Sequence, residues 1–181
     1  MKSRATIDIA KLLAFFSLLF LVYPASAKQD YIEKTIFGRI EEILIFDQKL
    51  RFKAKLDTGA KSSSLSANNI TEFEFDGKIW VSFRVMDHRK QEFVEKKFPL
   101  KRYARIKQHL KANNIPKSAK RPVVVLPVCI GKQSSHIEVN LVDRSHFKYP
   151  VLLGRDALVR FNIVVDPAKD FTFSPICEAM S

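Results

Sequence analysis

Glycine is scarce in this chain, with five residues in 181, and cysteine and tryptophan are scarcer, with two and one. No glycine-rich phosphate loop of either common pattern occurs, so the residues give no support to nucleotide use. The four histidines, His88, His109, His136 and His146, form no H-E-x-x-H, which removes the zinc protease signature, and each reads as a surface residue. No G-x-S-x-G surrounds a serine, and neither Cys129 nor Cys177 lies in a nucleophile motif. Beyond residue 27 no stretch reaches the roughly 20 apolar residues that a membrane-spanning helix needs. No metal, no cofactor and no nucleic-acid partner is expected.

What is present begins with an export signal. Lys2, Arg4 and Lys11 precede an eleven-residue, largely apolar run over 12–22, and Ala25-Ser26-Ala27 forms an A-x-A cleavage site. Cleavage after Ala27 is expected, with retention as an N-terminal anchor as the alternative. The chain then divides into a signal peptide, 1–27, and a single domain, 28–181, in the periplasm or secreted. Losing Lys2, Arg4, Lys11 and Asp8 lowers the net charge from +12 to +10, a surplus that favours acidic partners. In an exported protein Cys129 and Cys177 form either a disulfide or two buried thiols in neighbouring strands, and spacing leaves both open.

The rest reads as short strands. Residues 35–45 are β-branched and aromatic, 46–49 look like a turn, and 50–56 alternate apolar with Arg51, Lys53 and Lys55. Residues 73–75 turn at Asp76-Gly77 into 79–85, and 92–100 return after a polar turn at 87–91. Strands follow at 123–130, 137–142 and 151–153, a helical turn at 157–161, and strands at 162–165 and 171–173 about a turn at Asp166-Pro167. This spacing indicates a small barrel or sandwich. From Lys96 to Arg121 there are ten Lys or Arg and no acid. That segment, with a short helix expected at 104–112, reads as a solvated loop or hairpin, or as a basic cover over a site for an acidic ligand.

Chemistry concentrates at Asp57-Thr58-Gly59-Ala60, where a strand ends in an acid, a hydroxyl and a flexible residue. Two facing carboxylates within about 3 Å cannot both ionise and share one proton. One then activates water as a base while the other donates to the scissile carbonyl. Alone, the triplet is a weak signal. Downstream, however, Val151-Leu152-Leu153-Gly154-Arg155-Asp156-Ala157-Leu158 supplies an apolar-apolar-Gly step into a short helix.

With both blocks, the chain resembles the retropepsin-like aspartic proteases over roughly residues 36–173. It is most similar to a bacterial branch often labelled "ATP-dependent zinc proteases", although no zinc motif or nucleotide loop stands here. That branch carries K-A-K-x-D-T-G-A with following serines, R-P-V-V and P-V-L-L-G-R, found here at 53–60, 62–64, 121–124 and 150–155. The resemblance implies an all-β fold, a small closed barrel with one short C-terminal helix. It implies Asp57 as catalytic acid, Thr58 bonding across to a partner's loop, and Gly59 and Ala60 shaping the turn. Leu153, Gly154 and Arg155 would support the site, with Lys61 and Ser62 near substrate. One Asp-Thr-Gly per chain makes the implied two-aspartate enzyme a homodimer acting on peptides, with a leaning to acidic ones. Asp143, Asp156 and Asp166 read as turn or surface residues.

Two features depart from the viral pattern. Viral members place an acid at the position of Lys61, where it pairs with the arginine after the second glycine; here Arg155 needs another partner and Lys61 becomes a cation at the cleft. The segment at 103–121 has none of the glycine of a retroviral flap. The competing function is a non-catalytic envelope module of the same fold, binding acidic peptides or anionic envelope polymers.

Overall fold

In strand β2 (Leu50–Asp57) the side chains of Leu50, Phe52, Ala54 and Leu56 are buried, and those between them face outward. A period of two with one apolar face is what a sheet closed around a core requires. The structure is a computed structural model and describes residues 33–46, 50–106 and 119–177. The expected signal peptide, the turn at 47–49, His109 and most of the basic segment lie outside the described residues.

Strand β1 (Thr35–Ile45) forms an antiparallel pair with β2. Next come β3 (Ser63–Ser66), β4 (Asn68–Phe75), β5 (Lys78–Asp87), β6 (Glu92–Pro99), β7 (Arg102–Ile106), β8 (Ala119–Ile130), β9 (Gln133–Val142) and β10 (Val151–Gly154). Helix α1 (Arg155–Arg160) and β11 (Ile163–Asp170) complete the order. Six strands close a barrel in the sequence β1, β2, β10, β3, β9, β8, with Ile43, Leu44 and Ile45 meeting Ile130, Cys129 and Val128 at the closure. The expected small closed barrel with one short helix is therefore the fold. Strands β11 and β7 flank it outside β1 and β8. Strands β4 to β6 form a separate antiparallel sheet whose Val81, Phe83 and Val85 join the barrel core.

Four local expectations are corrected. Strand β3 was not anticipated, because Ser-Ser-Leu-Ser has little strand propensity; it forms by pairing with β10 and β9. The helix expected at 104–112 is not how Ala104, Arg105 and Ile106 fold. They are in β7, paired with Arg121, Lys120 and Ala119 of β8, so the described flanks of the basic segment make a two-stranded hairpin. The turn at Asp166-Pro167 lies within β11, at a register break opposite Gly38 and Ile40. Proline is tolerated there because β11 is an edge strand, and Gly38 allows the close approach, since an added Cβ would collide with the Lys169 carbonyl oxygen. Residues 171–173 are no strand; the N–H groups of Thr172 and Phe173 donate to the fully buried carboxylate of Glu41 at 2.9 and 3.4 Å. Gly38 N–H donates to the same carboxylate at 2.6 Å. Nearby, Cys129 and Cys177 are joined as a disulfide, the first of the two alternatives.

Candidate active site

Asp57 ends β2, and the chain turns sharply after it. Asp57 Oδ1 accepts from the N–H groups of Gly59 at 3.0 Å and Ala60 at 3.3 Å. Its other oxygen, Oδ2, accepts from Lys55 Nζ at 3.1 Å. Lys55 reaches it because residues two apart on a strand share a face. Burial pushes the Asp57 carboxyl up, but the Lys55 bond and the two backbone N–H groups outweigh it and hold the group below the usual carboxylate range. A depressed folded-state pKa gives stability that is present above the unfolded value and lost as pH falls through the folded one. Asp57→Asn is accordingly expected to narrow the fall in Tm between about pH 5 and pH 2, measured by calorimetry across that range.

Strand β10 lies parallel to β2, with Leu153 opposite Leu56 and Gly154 opposite Asp57. Leu153 is fully buried. A Cβ on Gly154 would fall 2.7 Å from the Lys61 carbonyl oxygen and equally close to Ser62 backbone atoms. Backbone cannot swing aside, so Gly154→Ala is expected to cost about 1–3 kcal/mol, seen as a lower Tm at unchanged pH. Immediately after it, the Arg155 and Asp156 N–H groups donate to the carbonyls of Ala60 at 2.8 Å and Lys61 at 3.1 Å. The second block thus clamps the first.

The partner that Arg155 needs is backbone: Nη1 donates to the carbonyls of Thr58 at 3.1 Å and Gly59 at 2.9 Å. Lys61 is exposed. Its Nζ pairs with Asp156 at 2.8 Å, so the acid and base of the viral pair are exchanged, with Asp156 of α1 supplying the acid. Asp156 is a surface residue, as expected, and holds this ion pair. Ser62 lines a depression together with Arg102, His136, Glu138, Asp156 and Arg160. Thr58 and Gly59 are exposed. Asp143 accepts from Ser145 N–H at 2.8 Å and Asp166 from Ala168 N–H at 3.0 Å, both in local turns, as expected. His88, His136 and His146 are exposed.

Behind the Asp57 turn lies a polar cluster that the sequence reading did not assign. Ser63 Oγ accepts from Gly154 N–H at 3.2 Å. Asn140 Nδ2 donates to the Ser63 carbonyl, and Asn140 Oδ1 accepts from Arg121. Buried Arg144 donates to Ser64 Oγ at 2.9 Å and to the Tyr149 carbonyl at 3.3 Å. Burial lowers the Arg144 guanidinium from its usual range, Arg121 adds to the effect, and the charge of Asp57 opposes it. Arg121 is likewise lowered by burial. The available signal was the block structure: the segments at 53–60, 62–64, 121–124 and 150–155 supply Lys55 with Asp57, Ser63 with Ser64, Arg121, and Gly154 to this one place. Arg144 and Asn140 had no such signal, since each is isolated in sequence.

A "Probable alpha-L-glutamate ligase" of Desulfotalea psychrophila is 35% identical over 118 residues, 64% of this chain and 24% of that protein. One of the same name from Shewanella pealeana is 33% identical over 121 residues, 66% and 25% of the two chains. The chain thus matches about a quarter of the length of these curated relatives. Among solved structures, a Legionella pneumophila protein of unknown function is 40% identical with a TM-score of 0.66, covering 77% of this chain and 98% of that one. A family model described as "Retropepsin-like aspartic endopeptidase RimB" matches residues 36–175. That span contains the barrel strands from Ile36 on and every residue of the Asp57 site, and the chain belongs to this RimB-like, retropepsin-like aspartic endopeptidase family.

Proposed function

We propose that the chain is an exported, homodimeric aspartic endopeptidase whose cleft pairs Asp57 of one copy with Asp57 of another. The observation that carries the reading is the Asp57 turn: a partly exposed carboxylate at a barrel strand's end, fixed through one oxygen by backbone N–H groups and clamped from behind by Gly154 and Arg155. Only one Asp-Thr-Gly is present, so the second acid must come from a second copy. With one proton shared between the two carboxylates, the ionised one takes a proton from water as its oxygen attacks the carbonyl carbon. The protonated one donates to the carbonyl oxygen. Collapse of the tetrahedral intermediate breaks the C–N bond and protonates the leaving amine.

Acidic peptides are the proposed substrates. Lys61 is paired with Asp156, and the cation in contact with Asp57 is the half-exposed Lys55. The relatives matched over a quarter of their length are named as glutamate ligases, and glutamate is an acidic residue. Export accords with the Cys129–Cys177 bond, which persists in oxidising compartments. A statine-type inhibitor is expected to block cleavage of a peptide library, and a chelator to leave it unchanged. Sedimentation of the protein lacking residues 1–27 should give a dimer at working concentration; a strict monomer that still binds acidic peptides in low salt would instead establish the non-cleaving module. That second reading is favoured by one observation, the ion pair that already satisfies Asp57 Oδ2.

A further inference from the structure

Lys55 has no place in the two-carboxylate scheme, yet it is bonded to the carboxylate. Its Nζ stands on Asp57 Oδ2 at 3.1 Å, the oxygen left over once Gly59 and Ala60 hold Oδ1. The neighbours of Lys55 across the sheet are Ile40 and Leu152, neither of them charged. Charged groups from the other elements packed here are committed elsewhere. Arg155 holds the Thr58 and Gly59 carbonyls, Lys61 and Asp156 hold each other, Arg144 is tied to Ser64 and Tyr149, and Arg121 to Asn140. Among the described residues, Lys55 is therefore the cation in direct contact with the acid. The side chains of both are partly exposed, 48% and 24%, and lysine is a compact charge on a flexible stem that exchanges partners readily.

An ammonium on the outer oxygen has a specific consequence. The scheme needs one proton shared by two carboxylates, whereas a cation beside each favours both ionised. It also covers the oxygen that must approach water. We propose that Lys55 is a latch opened by the substrate: a carboxylate side chain of an acidic peptide takes over Lys55 Nζ and frees Asp57 Oδ2 for the shared proton and the water. Lys55 keeps its charge throughout, and the dyad gains its single proton from solvent. A neutral peptide offers Lys55 no new partner and leaves the latch closed. Acid preference is then expressed in the rate of turnover as well as in binding, through a residue on the same strand face as the catalytic acid. This rests on the reading of Asp57 as half of a dyad.

The test uses Lys55→Met, which keeps most of the stem and removes the charge, with matched peptides bearing Glu or Gln beside the scissile bond. The wild type is expected to favour the Glu peptide in kcat as well as in KM. In the variant that preference falls by about three- to fivefold, the order of one half-exposed ion pair. Its pH profile on the Gln peptide moves upward. A second measurement needs no turnover: carboxyl-carbon NMR titration of Asp57 with reduced-bond versions of the two peptides. The Glu version should raise the Asp57 midpoint in the wild type, the Gln version should not, and in Lys55→Met the midpoint should already be raised. An Asp57 midpoint indifferent to both the Glu peptide and the Lys55 change overturns the latch, as does a Glu preference that survives in the variant. Cleavage that persists in Asp57→Asn overturns the two-aspartate reading instead, and with it the latch's role in turnover; the NMR titration of the wild type then shows only whether an acidic peptide draws Lys55 from Asp57.

Discussion

Asp57→Asn is expected to lower the proposed peptide hydrolysis by at least about a thousandfold while leaving the fold in place. The magnitude follows from the proposed dimer, because one substitution removes both carboxylates, and positioned acid–base groups contribute roughly 10²–10⁴ in rate. The fold should tolerate it because the Asn oxygen still accepts from the Gly59 and Ala60 N–H groups. What disappears is the Lys55 ion pair, partly exposed on both sides and so worth less than about 1 kcal/mol. Tm should move by no more than about 4 °C for a domain of this size. Cleavage rates and melting curves on the same preparation separate the cases. Full activity in the variant would falsify the two-aspartate mechanism. Lost activity with a large fall in Tm would instead assign Asp57 to the architecture of the turn, as the non-cleaving module requires.

Breaking the Cys129–Cys177 bond is expected to cost about 4 kcal/mol, the chain-entropy value for a loop of this length, given a sequence separation of 48. At about 2–4 °C per kcal/mol, Tm falls by about 8–16 °C in reductant or in a Cys129→Ala, Cys177→Ala variant. Other contacts also hold the C-terminal segment: Thr172 and Phe173 donate to Glu41, Ile176 N–H donates to the Gly131 carbonyl at 2.7 Å, and the Phe37 and Phe173 rings meet edge to face. The barrel should consequently stay folded at 25 °C after reduction, with Asp57 chemistry preserved, because the bond lies on β8 and the tail while the site lies on β2 and β10. A Tm unchanged by reductant would show that the bond contributes nothing to the unfolded-state constraint.

Much of the fold was legible because the strands carry their burial in their alternation. Leu50, Phe52, Ala54 and Leu56 identify β2 and its inward face without any structure, and Asp76-Gly77 marks the turn between β4 and β5. Legibility failed where partners rather than propensity create the strand. Ser63–Ser66 has no apolar alternation, and its hydroxyls find Gly154 N–H and Arg144 only when β10 and the segment after β9 are in place. Ala104–Ile106 reads as helix because alanine and basic residues favour it, and pairing with β8 overrides that preference. The partner of Lys61 was illegible for a related reason: a charge has no assigned partner in one dimension, and Asp156 lies 95 residues away.

The sequence by itself determined the barrel's apolar strands, the single Asp-Thr-Gly at the end of one of them, and the second glycine block, because periodicity and turn chemistry are local properties. Only the tertiary structure decided which charges meet. It placed Lys55 on Asp57, paired Lys61 with Asp156, turned Arg155 onto backbone carbonyls, and brought Arg121, Asn140 and Arg144 behind the turn. Electrostatics act through space over a few ångströms, and strands distant in the chain become neighbours only when the sheet closes.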